Sequence, residues 1–398
     1  MKMHKKLPIS KVLFFTGNRS EFGLLSPLID LLSDDSFEAT LVISGDHHSA
    51  SQGYSKNEIS FSNVNIVDLP YDNPHFKNCE KISFLILKLS EYLATHLFDY
   101  LFLYGDRYET FAAAICAHQH NIKIVHVEGG DITEGGVHDD SIRHAISKLA
   151  TFHLPSNSNS ANNLMQLGEE PWRIHVTGLT VGSYIENGNY TNKSKLFSKY
   201  SLDERTVVVF TLHPMPSSAT DTLKLVNESL KALNELDPRK FKVIITHPNS
   251  DPHNELIIDC YQSLHTSHIL IIPSLGRMDF HGLLALNRDG VLNLLCVGNS
   301  SSGIKEAGFF NCVSINIGER QKSRLRSGLV FDCEPLSTSI LKLIEDIKNN
   351  DFYRQQAANI ENPYLAGTAL KDISKMLLSY SKNNDVLKKK FFTMEQSQ

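Results

Sequence analysis

Three carboxylates stand where predicted strands end or a helix begins in the segment YGDRYETFAAAICAHQHNIKIVHVEGGDITEGGVHDDSIRHAISK, residues 104–148. Asp106 follows the apolar run DYLFLYG, and Glu128 follows the apolar run IKIVHV. Asp139 lies just before the helix predicted over SIRHAISKLA. In doubly wound folds the ligand crevice lies outside the carboxyl ends of the strands, so these acids are candidates for general acid and base catalysis.

Each of these acids also has a structural interpretation. The acids before the predicted helix could cap its N-terminus. Asp106 could pair with Arg107 or Arg143. Glu128 could accept hydrogen bonds from backbone amides of its glycine-rich loop. Three acids along one sheet edge are harder to explain by structure alone than any one of them, so we favour catalysis.

The elements that must position these acids alternate between strand and helix patterns, which predicts βαβ units and mainly parallel sheets. The first strand series is KVLFFT, FEATLVIS, DYLFLYG and IKIVHV. After the polar stretch GSYIENGNYTNKSKLFSKYSLDE, a second series follows with TVVVFTLHP, FKVIITHP, HILIIP, VLNLLCVG and VSINIG. We therefore predict an α/β fold of two Rossmann-like, doubly wound domains, 1–180 and 181–365, facing a cleft that suits a small molecule.

The remaining segment, 366–398, contains a predicted helix over ALKDISKMLLSYS that could return to the first domain. From about Lys382 the chain is charged and free of proline. We expect this end to be loosely attached, with the lysine run 388–390 as a solvated tail.

Composition excludes several classes of protein. The chain has 398 residues, 41% hydrophobic and 21% charged, with a formal net charge of -5, so we expect no nucleic-acid partner. Its six cysteines are widely spaced without a CxxC pair, which argues against a zinc site or a disulfide framework. The first apolar run is short and no apolar stretch reaches the roughly 20 residues that span a bilayer. We expect a cytoplasmic protein without a signal peptide or a membrane partner.

Two loops have the composition of phosphate-binding sites. The first, TGNRSEFG, offers backbone amides and the guanidinium of Arg19 to an anion, but it lacks the GxGxxG dinucleotide fingerprint. The second, in VLNLLCVGNSSSGIKEAGFF, places Ser300, Ser301 and Ser302 at a predicted helix start. These serines could bind phosphate there, or they could simply cap the helix.

Glu306 lies one turn into this second helix, where a carboxylate would repel phosphate but could accept hydrogen bonds from ribose hydroxyls. Downstream, INIGERQKSRLRSG is a cationic loop whose members, Arg320 among them, could neutralise a diphosphate or could form solvated surface. The chain has neither a DxD pair in a suitable loop nor a Walker lysine, so we expect protein cations and no metal ion to carry the phosphate charge.

Two histidines follow predicted strands, His213 after VVVFTL and His47 in SGDHHS. A single histidine in such a place is more often structural. We predict that His213 contacts the substrate as a polar group or an acid, and His47 is a comparable candidate in the first domain.

Taken together, these motifs resemble those of the hydrolysing UDP-N-acetylglucosamine 2-epimerases of sialic acid and legionaminic acid biosynthesis. TGNRSEFG is similar to the TGxRAxYG of that family, GDRYE to its GDRxE, and HVEGGD to its HIEGGE. DDSIRHAISKL, GNSSSGIKEA and NIGERQKSR continue the resemblance, which covers nearly the whole chain. It implies the two-domain fold of the B-type glycosyltransferases (GT-B), with UDP held mainly by the second domain.

The resemblance also implies the site residues. It puts Asp106, Glu128 and Asp139 on the catalytic acids of the family. The loop ITEGGVH is one residue longer than in close relatives, so Asp140 is an alternative to Asp139. The implied nucleotide-binding positions are Arg19, Ser301, Ser302, Glu306 and Arg320, and those near the diphosphate and sugar are Arg107 and His213.

The implied reaction converts UDP-N-acetylglucosamine and water to N-acetylmannosamine and UDP through a glycal, and it needs no cofactor. A hydrolysing UDP-N,N′-diacetylbacillosamine 2-epimerase is the nearest alternative. A GT-B glycosyltransferase or a UDP-sugar sensor is more distant. The expected partners are a UDP-sugar substrate and further copies of the chain in a homo-oligomer, a dimer or a tetramer.

Overall fold

The computed structural model describes residues 9–49, 54–73, 75–133, 137–215, 218–249, 251, 253–264, 266–288, 294–350, 352–353, 361–365 and 370–394. The chain divides into two compact units. Unit 1 comprises Met1–Asp131, His138–Ser183 and Ala366–Gln398. Unit 2 comprises Ile132–Val137 and Tyr184–Leu365.

Unit 1 contains a parallel sheet in the order β3-β2-β1-β4-β5-β6. Its strands are β1 (Ser10–Thr16), β2 (Phe37–Ile43), β3 (Val64–Asp68), β4 (Tyr100–Tyr104), β5 (Lys123–Val127) and β6 (Phe152–Leu154). Its first helices are α1 (Arg19–Leu31), α2 (Asn78–Leu93), α3 (Tyr108–Gln119), α4 (Val137–Leu149) and α5 (Ser158–Gln166). The strand order reverses between β1 and β4, which brings the loops after these two strands together.

Unit 2 repeats this plan with a second parallel sheet in the order β12-β11-β10-β7-β8-β9. Its strands are β7 (Thr206–Thr211), β8 (Phe241–Thr246), β9 (Ile269–Ile272), β10 (Leu294–Gly298), β11 (Val313–Ile317) and β12 (Val330–Cys333). The helices from the end of unit 1 onwards are α6 (Gly182–Glu186), α7 (Lys193–Tyr200), α8 (Ala219–Glu235), α9 (Asn254–Gln262), α10 (Gly276–Arg288), α11 (Ser301–Lys305) and α12 (Ser337–Asn349). The strand order reverses between β7 and β10.

The end of β10 requires a glycine. Gly298 has a φ of +137°, and a Cβ at this position would lie 1.9 Å from the carbonyl oxygen of Thr211 in β7. Only a residue without a side chain allows the two strand ends to approach this closely. The polar loops that follow β7 and β10 are therefore held next to each other.

The predicted α/β fold of two Rossmann-like, doubly wound domains is confirmed by these two sheets. The sequence patterns missed β3, β6 and β12, which are short strands at sheet edges. β3 and β12 are largely half-buried or exposed, and the buried β6 has only three residues, so none of them shows the continuous apolar run by which the central strands are recognised. Among the described residues, no helix combines the length and the apolar character that crossing a membrane requires.

The C-terminal segment packs onto unit 1. Helix α13 (Leu370–Tyr380) places Ile373 and Leu377 in the core that includes Val12 of β1. The hydroxyl of Tyr100 in β4 donates to the carbonyl oxygen of Leu377 at 2.7 Å. The following chain also docks on this unit, so the expectation of a loosely attached end was wrong for residues 386–392. Of the lysine run, Lys388 and Lys390 are exposed as expected, whereas Lys389 is partly buried.

Candidate active site

Arg143 of α4 contacts three acidic residues of unit 1, namely Asp106, Asp131 and Asp140. Its side chain is almost completely buried, and its Nη2 donates to the carboxylate of Asp106. Its Nη1 donates to the carboxylate of Asp140 and to the carbonyl oxygen of Asp131, the latter at 2.7 Å. Burial alone would lower the pKa of Arg143, but the carboxylates of Asp106, Asp131 and Asp140 raise it above its ordinary value. A permanent cation therefore holds this group of acids together.

Asp106 thus pairs with Arg143, one of the two partners that the sequence left open. Its side chain is still 29% exposed, whereas that of Arg143 is 3% exposed. Arg143 therefore orients the carboxylate of Asp106, and part of that carboxylate stays accessible to a ligand.

His126 connects the three segments that carry the acids. It lies in β5, two residues before Glu128, and its Nε2 is 2.8 Å from the carbonyl oxygen of Gly105, which precedes Asp106. Its Nδ1 is 3.0 Å from the Oγ of Ser147 in α4. Burial lowers the pKa of His126 to about 3, so the ring is neutral. Because a carbonyl oxygen only accepts, Nε2 carries the proton and Nδ1 accepts from Ser147.

Glu128 has an unusual backbone conformation. Its φ is +65°, in the left-handed region that residues other than glycine seldom adopt, and the residue is 5% exposed. Its amide donates to the carbonyl oxygen of Leu154 at 3.0 Å. A Cβ on the next residue, Gly129, would lie 2.8 Å from Nδ1 of His126, so the chain turns tightly against that ring. Such strain costs roughly 1–3 kcal/mol and often marks functional positions.

The two candidates for the third acid both lie in the first turn of α4 and are both partly buried. Asp140 is the one that pairs with Arg143. Asp139 is its neighbour in the chain and therefore projects about 100° further around the helix. Asp140 is thus tied to Asp106 through a common cation.

The loop after β1 uses several of its own polar groups internally. The amide of Gly17 donates to Oε2 of Glu21 at 2.9 Å, and the amide of Glu21 donates to Oδ1 of Asn18, which caps α1. The prediction that this loop offers its backbone amides to an anion is therefore wrong for Gly17. Arg19 remains a candidate for anion binding, and burial lowers its pKa despite the nearby Glu58.

Arg107 forms ion pairs inside unit 1. Its guanidinium lies 3.3 Å from Oδ2 of Asp46 and 3.1 Å from Oε2 of Glu109, whose side chain is fully buried. These pairs fix the direction of the Arg107 side chain. Its predicted contact with the substrate stays a prediction.

His47 does not fit the predicted substrate contact. Its side chain is fully buried, with Nε2 3.0 Å from Oγ1 of Thr16 and Nδ1 2.9 Å from Oγ of Ser55. Burial lowers the pKa of His47 to about 3, so the ring is neutral. Since both ring nitrogens already have protein partners, we interpret His47 as a support for Thr16 at the end of β1.

In unit 2, His213 and Asn299 join the loops that follow the two central strands. The amide of His213 donates to Oδ1 of Asn299 at 2.6 Å, and Nδ2 of Asn299 donates to the carbonyl oxygen of His213 at 2.9 Å. The backbone carbonyl oxygen of Asn299 accepts from Nε2 of Gln321 at 2.9 Å and from Nη1 of Arg320 at 3.5 Å. Three loops at the carboxyl edge of this sheet therefore converge on Asn299. The sequence patterns missed Asn299 and Gln321, whose types carry no chemical signal alone.

The imidazole of His213 lies 3.6 Å from Oδ2 of Asp251. Burial lowers the pKa of His213, and the nearby Arg320 lowers it further, while Asp251 raises it. The net shift favours a neutral ring. A neutral histidine beside Arg320 can contact a phosphate or a sugar hydroxyl without adding charge.

The serine loop shows the capping arrangement. The amide of Ser302 donates to Oγ of Ser300, and α11 begins at Ser301. Ser301 and Ser302 are partly exposed in this first turn. The capping interpretation therefore holds for Ser300, while phosphate binding by Ser301 and Ser302 stays a prediction.

Glu306 ends this short helix, with its Oε2 2.7 Å from Nε2 of the buried His281. That contact orients the carboxylate that was predicted to bind ribose.

In the cationic loop, Lys322 pairs with Glu319 and Arg326 with Asp332. Two of its predicted cations are thus engaged within the loop region, whereas Arg320 lies against Asn299.

The two doubly wound sheets, one with an acid cluster at its carboxyl edge and one with a convergent polar loop cluster, define an α/β protein with a GT-B-like fold. The family model described as UDP-N-acetylglucosamine 2-epimerase matches residues 30–378. The chain therefore belongs to the UDP-N-acetylglucosamine 2-epimerase family. It is an enzyme of the UDP-sugar 2-epimerase type.

Individual relatives agree with this assignment. The chain is 30% identical over 348 residues to the UDP-N,N'-diacetylbacillosamine 2-epimerase (hydrolyzing) of Legionella pneumophila, covering 86% of this chain and 89% of that one. It is 26% identical over 389 residues to the polysialic acid biosynthesis protein P7 of Escherichia coli, covering 95% and 96%. A crystal structure of UDP-GlcNAc 2-epimerase from Neisseria meningitidis, bound to UDP-GlcNAc, has a similar fold, with a TM-score of 0.75, 23% identity and coverage of 93% and 100%.

Proposed function

We propose that this protein is a hydrolysing UDP-sugar 2-epimerase that converts UDP-N-acetylglucosamine and water to N-acetylmannosamine and UDP, for sialic acid biosynthesis. The observation that carries this proposal is the acid cluster of unit 1. A buried Arg143 orients Asp106, and Glu128 lies in a strained turn one strand away. A protein that only bound a UDP-sugar would have no need for this arrangement.

The chemistry requires acids that work at one carbon. The C1–O bond to UDP breaks, and its electron pair leaves with the diphosphate. A carboxylate removes the proton from C2, which becomes acidic as C1 gains oxocarbenium character, and a glycal results. Water then adds its hydroxyl to C1 and gives its remaining proton to a carboxylate, while a carboxylic acid delivers a proton to C2 from the opposite face. The product has inverted configuration at C2.

We assign Asp106, Glu128 and Asp139 to this acid and base set without dividing the two proton transfers among them. Arg143 keeps Asp106 and Asp140 in place, and its charge cannot be removed at physiological pH. The neutral His126 fixes Gly105 and thereby the start of the loop that carries Asp106.

We assign the UDP portion to the loop cluster of unit 2. Arg320 would neutralise the diphosphate, with Ser301 and Ser302 as hydrogen-bond donors. Arg19 of unit 1 is a further candidate cation for the diphosphate. Glu306, oriented by His281, would accept from the ribose hydroxyls. His213 would contact the diphosphate or the sugar as a neutral ring.

A second substrate is favoured by one specific observation. A relative that is 30% identical over most of its length is a hydrolysing UDP-N,N'-diacetylbacillosamine 2-epimerase. The same acids would serve either sugar, since the two differ away from C2. Loop lengths near Asp139 and the segment before the serine loop are where selectivity between them would arise.

The test is incubation of the protein with each UDP-sugar, followed by NMR of all sugar products. A free manno-configured sugar and an equal amount of UDP support the proposal, and the faster substrate identifies the sugar. A manno-configured sugar still linked to UDP would instead indicate a non-hydrolysing epimerase. A released gluco-configured sugar, or no turnover of either substrate, would contradict the proposal.

A further inference from the structure

The chain beyond α13 forms a C-terminal strap, residues 386–392, that is fixed to unit 1 by polar contacts. Arg173, which is 1% exposed, donates to the carbonyl oxygens of Val386 at 2.6 Å and Lys388 at 3.1 Å. The amide of Phe392 donates to the carbonyl oxygen of Gly168 at 2.9 Å. The strap has almost no regular secondary structure, so these contacts define its course.

Lys389 of the strap binds the carboxyl end of α4. Its Nζ lies 3.3 Å, 3.0 Å and 2.8 Å from the carbonyl oxygens of Ser147, Lys148 and Ala150. The last carbonyl groups of a helix have no partner within the helix, and they carry the negative end of its dipole. A lysine at this point therefore stabilises the final turn of α4.

The ammonium of Lys389 is matched by a buried carboxylate. Oε2 of Glu169 lies 2.5 Å from Nζ of Lys389 and 3.0 Å from Nε2 of His153, and Oε1 lies 2.7 Å from Nζ of Lys148. Burial alone would raise the pKa of Glu169, but His153 and the two lysines lower it to about 2. Glu169 is therefore ionised. Removing Lys389 would leave that buried charge with less compensation.

The same helix carries the acid cluster. Arg143 and the two acids of the first turn lie on α4, and Ser147 in its last turn donates from Oγ to His126. His126 in turn fixes the carbonyl oxygen of Gly105, next to Asp106. A continuous series of contacts thus leads from Lys389 through α4 to both ends of the pair between Arg143 and Asp106.

We propose that the C-terminal strap is a positioning element of the active site, in which Lys389 fixes the carboxyl end of α4 and thereby the placement of Arg143 and Asp106. The kinetic part of this inference rests on the proposed function. Lys389 contacts no reacting group in this scheme. It acts through the helix that it holds.

The experiment compares Lys389→Met with Lys388→Met in the full-length protein. Lys388 is the adjacent lysine, with an 83% exposed side chain and an exposed partner, Asp385. We expect Lys389→Met to lower kcat for UDP release about tenfold or more, with KM and the affinity for UDP changed less than twofold. Lys388→Met should match wild type, and Lys389→Arg should restore most of kcat.

Hydrogen exchange provides a readout that does not depend on the reaction. In Lys389→Met the amides of residues 141–149 of α4, which donate to carbonyl oxygens within the helix, should exchange faster than in Lys388→Met. If wild type turns over neither UDP-sugar, the proposed function fails, and the exchange of α4 alone still decides the role of the strap. Lys389→Gln serves as a second variant. It keeps hydrogen-bond donors and removes only the charge, so it should disturb the packing of the strap less than Lys389→Met.

Three results would overturn the inference. One is a kcat for Lys389→Met equal to that of Lys388→Met. Another is unchanged exchange of the amides of residues 141–149 of α4. The third is a parallel loss of UDP affinity and kcat in both Lys389→Met and Lys389→Gln, because that outcome reports general unfolding and no specific effect on the acids.

Discussion

The guanidinium of Arg143 donates to the carboxylate of Asp106 across two segments of unit 1, one at the carboxyl end of β4 and the other in α4. The pair is asymmetric in its exposure, because the cation is buried and the carboxylate is partly accessible. The carboxylate of Asp106 is therefore oriented by the protein itself, through Arg143, and needs no ligand for this. This relationship makes Arg143 a positioning residue for the proposed chemistry.

Replacing Arg143 should therefore cost both stability and activity. In Arg143→Met the carboxylates of Asp106 and Asp140 lose their common partner, and the free energy of unfolding should fall by about 3–5 kcal/mol. Arg143→Lys keeps the charge but lacks the planar guanidinium whose two terminal nitrogens reach Asp106 and Asp140, so kcat should still fall at least ~100-fold. Urea denaturation and UDP-release assays measure these effects. Arg239→Met, which removes an 88% exposed arginine, is the matched control and should match wild type.

Neutralising the proposed acids should separate binding from chemistry. Asp106→Asn and Glu128→Gln should each lower UDP release by ~1000-fold or more, because the amides neither accept nor deliver the C2 proton. The affinity for UDP, measured by calorimetry, should change less than about threefold, since the nucleotide is assigned to unit 2. An equal loss of UDP affinity would show that these acids are structural. Glu38→Gln, at an exposed surface pair with Lys11, is the control.

The two acids in the first turn of α4 should behave differently. Asp140 pairs with the buried Arg143, so Asp140→Asn should lower the free energy of unfolding by about 1–3 kcal/mol and leave measurable turnover. Asp139→Asn should lower kcat ~100-fold or more, because Asp139 is assigned to the acid and base set. The comparison needs only thermal unfolding and steady-state kinetics of both variants. The reverse pattern, with Asp140 essential and Asp139 dispensable, would move the third catalytic role to Asp140.

Glu21 should give the stability of the protein a specific pH dependence. Burial raises the pKa of its carboxyl to about 8, although Arg107 lowers it, from an ordinary value of 4.5. Since the folded-state pKa is the higher one, the contribution of the neutral acid is complete below about pH 4.5 and is lost as the pH rises through about 8. Relative to Glu21→Gln, wild type should lose about 1.4 kcal/mol of unfolding free energy per pH unit in this window.

Urea denaturation of wild type and Glu21→Gln at several pH values between about 5 and 8 measures this difference. The glutamine keeps an oxygen that can accept from the amide of Gly17, so the loop after β1 should remain intact. Parallel stability profiles for the two proteins would show that Glu21 does not titrate in this range.

The sequence was sufficient to place Asp106 and Glu128 at the carboxyl edge of a parallel sheet. The strands before them are buried on both faces, and such strands appear directly as apolar runs. The choice between Arg107 and Arg143 as partner of Asp106 was not decidable in this way. It depends on how α4 packs, which is a long-range property that local pattern does not encode.

His126 and Lys389 show two further limits of local pattern. A lone histidine inside an apolar strand gives no periodic signal, so the contacts of His126 with Gly105 and Ser147 were not expected. Lys389 lies in a run of three lysines, whose composition predicts a solvated tail. Its actual partner is a buried carboxylate, Glu169, far away in the sequence. Charge complementarity between distant segments becomes visible only in the folded chain.

The most direct test of the proposed chemistry is the position of solvent hydrogen in the product. Wild type is incubated with UDP-N-acetylglucosamine, and with the diacetylbacillosamine analogue, in deuterated water, and the released sugar is analysed by NMR. We predict one deuterium at C2 of a free, manno-configured sugar, because C2 loses its proton to a carboxylate and regains one from an acid that has exchanged with solvent. A released sugar that retains its original hydrogen at C2 would contradict the role assigned to Asp106, Glu128 and Asp139.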